Sequence, residues 1–197
     1  MPPPFECMRC GACCQDLPRI PIFPEETDRL IEIAKERGIA LHVVEDLVFP
    51  DVKRQKILVV TYRIMFDNPA KTCPFYDHDL PGCAVHPDRP ASCRAYPLAI
   101  KTEDAFTSKV EIGSFCTWTQ KYREELERLQ AKDLQAVFGG LVSNARALLA
   151  RNNEIRVRIR VLQQRGVIDV PSRISGSDFD RALKEWDREE IRVEDED

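Results

Sequence analysis

Four cysteines stand within one short stretch, Cys7, Cys10, Cys13 and Cys14, and four more, Cys73, Cys83, Cys93 and Cys116, follow singly. A thiolate is a soft ligand suited to zinc, copper(I) or an iron–sulfur cluster, and two separated by two residues can hold one metal across a tight turn. Gly11, directly after Cys10, supplies the backbone freedom such a turn needs. A third cysteine at the same interval makes C-x-x-C-x-x-C, which is how the bacterial ferredoxin run opens. That run continues C-x-x-x-C-P, whereas here Cys14 follows at once. Successive side chains diverge on an extended backbone. Cys13 and Cys14 are therefore expected to serve different sites, or one to ligate while the other packs. Cys10, the middle member of the interval, is the expected indispensable ligand, and Cys14 the most dispensable of the first four.

An even number of cysteines also admits a disulfide framework. Disulfides belong mainly to oxidising compartments, and the start Met1-Pro2-Pro3-Pro4 carries no apolar export segment. Metal ligation in a cytoplasmic protein is the expected use. With only three histidines, any such site must be mostly sulfur.

The elements that position these residues have to come from 197 residues, 43% hydrophobic and 31% charged, the balance of a water-soluble protein. The longest apolar runs, such as Ile57-Leu58-Val59-Val60, are too short to span a bilayer. A net charge of -4 gives no global attraction to nucleic acid or anionic lipid. Pro18, Pro21 and Pro24 are expected to keep the chain extended. A helix follows from about Glu25 to Arg37 with Leu30, Ile31, Ile33 and Ala34 inward and Gly38 as the stop. Leu41 to Phe49 is ambiguous, and Lys56 to Phe66 reads as a strand. Asn68-Pro69 marks a turn. The single cysteines, spaced by ten and interleaved with proline, argue for loops pinned by a shared centre. Leu98 to Lys101 and Phe106 to Ile112 suit a short antiparallel pair. Beyond Thr119 the period is helical, with Gly139-Gly140 as a break. Ile155 to Val161 alternates like a strand but sits in helical context and is assigned to helix. Ser177 and Asp180 resemble a capping box for a last helix through Trp186, ahead of an acidic tail.

Arg146, Arg151, Arg156, Arg158, Arg160, Arg165 and Arg173 make a basic stretch that could hold phosphates, so nucleic acid is a conceivable partner. The favoured reading pairs these bases with the acids of the C-terminal helix. Asp77, His78 and Asp79 form a polar loop best read as a solvated turn.

Phe5-x-Cys7-x-x-Cys10-Gly11-x-Cys13-Cys14, then Cys73-Pro74-Phe75, Cys83, Arg89-Pro90-x-x-Cys93-Arg94-x-Tyr96-Pro97 and Cys116 together resemble the YkgJ-like cysteine-cluster family, named for zinc or iron chelation. The likeness covers roughly residues 5–118. It implies a metal-binding domain and, through relatives that look like flagellin lysine N-methylases, a 4Fe–4S centre. In two places the chain departs from the pattern. His86 falls where relatives usually carry tyrosine, which places it in an aromatic packing slot, and Tyr96 replaces a phenylalanine.

The expected fold is α+β: irregular metal-pinned loops with a small antiparallel sheet, then a helical C-terminal third. Residues 1–118 form the cysteine-cluster domain and 119–197 a helical region packed on it as one unit. The expected function is a protein holding an iron–sulfur cluster, or zinc, through Cys7, Cys10, Cys13, Cys14, Cys73, Cys83, Cys93 and Cys116. Arg94, beside Cys93, is expected to donate hydrogen bonds to cluster sulfur. The alternatives are a zinc-stabilised module that binds protein or nucleic acid, and a protein lysine N-methyltransferase. No membrane is involved in any of them.

Overall fold

A computed structural model describes residues 1–15, 20–79, 82–102 and 108–192. In chain order its elements are α1 (Ala12–Gln15), β1 (Ile20–Ile22), α2 (Pro24–Glu36), β2 (Val43–Asp51), β3 (Lys56–Ile64), β4 (Tyr76–Asp77), β5 (Gly82–Cys83), α3 (Ala91–Ala95), β6 (Leu98–Thr102), β7 (Ser108–Ile112), α4 (Thr117–Lys121), α5 (Arg123–Glu127), α6 (Leu134–Phe138), α7 (Gly140–Gln164), α8 (Gly176–Glu185) and β8 (Asp187–Glu190). Single 3-10 turns lie at His86–Asp88 and Ala131–Asp133. The architecture is α+β, with small sheets and a helical C-terminal region. Pro18, Phe106 and the acidic tail beyond Arg192 lie outside the described residues.

The unbroken apolar run of β3 suits a strand covered on both faces, and Ile57, Leu58 and Val59 are fully buried. β2 pairs antiparallel with β3 along its length, from Val43 opposite Ile64 to Asp51 opposite Lys56. The other edge of β3 is shared: β1 takes residues 62–64 antiparallel and β8 takes 56–59 parallel. The ambiguous stretch before β3 is thus a strand.

β8, Asp-Arg-Glu-Glu, has no strand signature, and only its partners explain it. Glu189 meets Arg54 at 2.8 Å and Lys56 at 2.6 Å, Tyr62 donates to Glu190 at 2.7 Å, and Arg188 pairs with Glu45 at 2.7 Å. These acids therefore find their bases on the β2–β3 hairpin.

Pro24 opens α2 instead of prolonging the extended segment, because a proline's missing N–H costs nothing at a first helical position. The Glu26 carboxylate spans the junction, accepting from Phe23 N–H at 3.0 Å and from Ala91 N–H at 2.6 Å. The helix ends before Gly38, which has φ +65°.

α7 absorbs the alternating stretch. A helical turn spreads Ile155, Val157, Ile159 and Val161 around the axis, so Ile155 and Ile159 are buried while Val157 is 58% exposed. One apolar core takes in Phe23, Leu58, Leu98, Trp118, Phe138, Ala145, Leu148, Ile155, Ile168 and Ile191, and so spans the sheet, α3 and the C-terminal helices. The last helix is capped by Ser175, whose Oγ accepts from Asp178 N–H at 3.1 Å, and not by Ser177.

Candidate metal centre

The N-terminal cysteines are carried on a strand of chain fixed at Phe5. Its N–H donates to Val137 O at 2.7 Å, and its ring packs edge-on to Trp118 at 5.2 Å and against Phe138 at 5.9 Å. Gly11, at φ +74°, then turns the chain so that Cys14 N–H and Gln15 N–H both donate to Gly11 O. A Cβ at Gly11 would lie 2.1 Å from the Tyr76 ring, so the position needs glycine for space as well as for conformation. The result is a single helical turn, α1, on which Cys13 and Cys14 are neighbours. This corrects the expectation of divergence. The backbone there is helical rather than extended, and both side chains reach one place.

Three further segments converge on that turn. Cys73 N–H donates to Cys14 O at 2.7 Å, and the Asn68 side chain clamps Thr72 through both its amide groups. Cys83 lies in β5 opposite Tyr76 in β4. Cys93 sits on α3, a short helix rather than a loop, tied back by Ser92 Oγ–H to Pro21 O at 2.7 Å. Cys116 precedes α4, where Thr119 Oγ–H donates to its carbonyl at 2.9 Å.

All eight cysteines line one cavity of about 80 Å³, and all eight are free thiols. Cys14 and Cys73 are buried in its floor beside Phe75 and Val85, while Cys7 and Cys10 are exposed. The neighbouring thiols of Cys13, Cys73 and Cys83, together with burial, push the Cys14 pKa far up. The Cys14 thiol beside them holds Cys13 and Cys83 down to about 7 against the opposing effect of burial. The Arg89 guanidinium adds to both, and Val85 N–H and Arg37 add to Cys83. Burial pushes the Cys93 and Cys116 thiols up. Two of the wall sulfurs are thus close to ionised at neutral pH, the state in which a thiol ligates or reacts.

Among the described residues no three of His, Cys, Asp and Glu are drawn together as a finished ligand set. The donor chemistry fits a soft metal nonetheless, since the wall offers eight thiols against one carboxylate, Glu6, and one imidazole, His86. Arg9 and Arg89 bring positive charge to the same wall.

Arg94 is not among the wall residues. It is exposed, donates to Arg89 O at 2.8 Å, and borders a separate groove with Asn144 and Glu154 on α7. On α3, Cys93 and Arg94 are successive residues and point apart, and the arginines that line the cavity are Arg9 and Arg89. Its place in the Arg89-Pro90-x-x-Cys93 motif was the available signal. His86 opens a 3-10 turn and lines the cavity, and burial together with Arg89 and Arg9 lowers its pKa. The Asp77–Asp79 loop is the turn expected of it: Asp79 N–H donates to Asp77 Oδ1 at 2.9 Å, and His78 stacks edge-on with Tyr76 at 4.7 Å.

An α+β scaffold whose cysteines gather from four segments onto one cavity is that of a thiolate metal-binding protein. The chain belongs to the CxxCxxCC family, whose domain is described as a "putative zinc- or iron-chelating domain" and whose model matches residues 6–121. That match takes in every cysteine and stops in α4, short of the long helices. No curated protein and no solved structure matches the chain. Among the described residues no helix is long and apolar enough to cross a membrane.

Proposed function

We propose that the cavity seats a thiolate-ligated iron–sulfur centre, with a 4Fe–4S cluster as the favoured form. The observation that carries this reading is the space itself. About 80 Å³ corresponds to roughly six water-sized spheres, more than a single ion needs. Bound there, the centre would supply one-electron chemistry or pin the fold. A 4Fe–4S cluster takes four thiolates, which would come from Cys13, Cys14, Cys73, Cys83 and Cys93 below it and Cys7, Cys10 and Cys116 at the mouth. Ile20, Ile64, Phe75, Val85 and Trp118 keep water from its sides. Arg9 and Arg89 offset the negative charge that clustered thiolates accumulate. Eight free thiols suit a reducing cytoplasm.

One observation favours a second reading. Cys14 and the three thiols nearest it in effect, Cys13, Cys73 and Cys83, are four sulfurs, the number a tetrahedral structural zinc takes. Anaerobic purification with iron, acid-labile sulfide and zinc assays tells the two apart. A brown protein with matched iron and sulfide is the expected result. A colourless protein with stoichiometric zinc and no sulfide overturns the first reading and establishes the second.

A further inference from the structure

Beside sulfur and the two arginines, the wall carries the side chains of Glu6, Tyr96 and His86. His86 begins the turn His86–Asp88, which is fixed by Asp88 N–H on Val85 O at 2.9 Å and by Arg89 Nε–H on the His86 carbonyl at 3.0 Å. The backbone at this position is therefore held from both sides. The imidazole lines the cysteine cavity, and among the described residues its Nε2 is buried with no hydrogen-bond partner. Buried polar atoms in folded proteins nearly always have a partner in protein, water or a bound ion. Among the described residues the protein supplies none, and the cavity that the ring lines is where such a partner would sit. Imidazole nitrogen joins thiolate in the ligand sets of zinc, copper and iron.

We propose that His86 Nε2 is a nitrogen donor to the metal centre, so that the metal is held by sulfur and one nitrogen rather than by sulfur alone. The proposal rests on the reading of the cavity as a metal centre, but not on which metal it takes. It also gives a reason why a position framed by Arg9 and Arg89 carries a ring with a lone pair.

The test uses the full chain, purified anaerobically, stripped by a chelator and titrated with Co²⁺, whose visible bands report the sulfur-to-nitrogen ratio. His86→Phe keeps a ring but removes the nitrogen, and His86→Cys replaces it with another donor. Wild type is expected to give a mixed sulfur–nitrogen spectrum. His86→Phe should lose more than about tenfold in affinity and shift its bands, and His86→Cys should recover affinity with an all-sulfur spectrum. In iron-loaded protein labelled with ¹⁵N-histidine, a nitrogen coupling in pulsed EPR should be present in wild type and missing from His86→Phe. Equal Co²⁺ affinity and spectrum in wild type and His86→Phe overturn the proposal and leave a water or plain packing as the partner of Nε2. If His86→Phe does not fold, an unchanged spectrum in His86→Cys overturns it equally. Failure of wild type to take up either metal would sink the metal-centre reading itself, whereas normal uptake indifferent to position 86 sinks only this inference.

Discussion

The thiol-lined half and the helical half of the molecule are held together by different physics. Around the cysteines the elements are minimal: four residues in α1, two each in β4 and β5, five in α3. Helices and hairpins of that size are not stable alone. Their core counts cysteines among its members, with Cys14 and Cys73 buried beside Ile20, Leu30, Phe75 and Val85. The other half rests on β2 and β3, nine residues each, and on the 25 residues of α7. Its core is conventional, built from Leu58, Trp118, Phe138, Leu148 and Ile155. One half is closed by what its side chains bind, the other by what they exclude.

The sharpest way to break this comparison is to take the metal away. Where ligands come from separate segments, binding energy is folding energy, on the order of 10 kcal/mol for small structural sites. After chelation, hydrogen exchange should speed up at Cys73, Tyr76 and Ala84, whose N–H groups bond within the cysteine segments. The amides of β3 and α7 should keep their protection. Equal loosening of both halves would mean that one core serves both.

Within the thiol half, burial now ranks the ligands. Cys14 is 7% exposed and neighbours three other thiols, whereas Cys10 is exposed and contacts Thr117 Oγ1 at 3.5 Å. Cys14→Ala is therefore expected to cut metal content at least about tenfold, and Cys10→Ser to cut it less. Metal analysis of the two purified variants, side by side, checks the order. The reverse order would restore the expectation drawn from spacing alone.

That reversal shows where the sequence was legible. The convergence of the cysteines, the glycine turn, α2 and β3 all follow from local signals: interval, φ requirement and apolar period. What failed depended on partners distant in the chain. The spacing argument puts Cys13 and Cys14 on an extended backbone, whereas the turn at Gly11 makes the next residues helical. Arg94 adjoins Cys93 in sequence yet does not line the cavity, because adjacency says nothing about direction on a helix. β8 was invisible because Asp-Arg-Glu-Glu becomes a strand only when Arg54, Lys56 and Tyr62 receive its carboxylates.

In the apolar half the weak point is a charge. The Asp51 carboxylate is fully buried at the end of β2, paired with Arg54 and accepting Asp169 N–H at 2.8 Å, so it stitches the hairpin to the segment after α7. Burial pushes its pKa up, but the Arg54 guanidinium and the backbone N–H groups of Asp169 and Arg54 outweigh that and leave it below the usual carboxylate range. A depressed native pKa stabilises fully above the unfolded value, about 3.9, and that contribution is lost as pH falls through the native pKa. Thermal melts should show Asp51→Asn destabilised by about 3 kcal/mol at pH 7, with the gap from wild type closing below about pH 4. A gap independent of pH would assign the cost to packing rather than to charge.

The smallest expected effect lies at the start of α8, where two serines compete for one role. Ser177 stands three residues before Asp180 and reads as the cap from sequence, but Ser175 has the extended backbone of a cap residue, φ -68° and ψ 151°. Its Oγ accepts from Asp178 N–H at 3.1 Å and donates to the Asp178 carboxylate at 2.6 Å. Ser177 is the second helical residue and exposed. A cap oxygen satisfies a backbone donor that otherwise has only water, and its loss costs about 1 kcal/mol. Ser175→Ala should therefore destabilise the chain by about 1 kcal/mol in a denaturant melt, while Ser177→Ala stays within about 0.5 kcal/mol of wild type. Because α8 leads into β8 on the edge of β3, the loss should appear in the apolar half and leave metal content unchanged. Equal effects from the two serines would mean that α8 starts elsewhere. A change in metal content would mean that the two halves are coupled through β3.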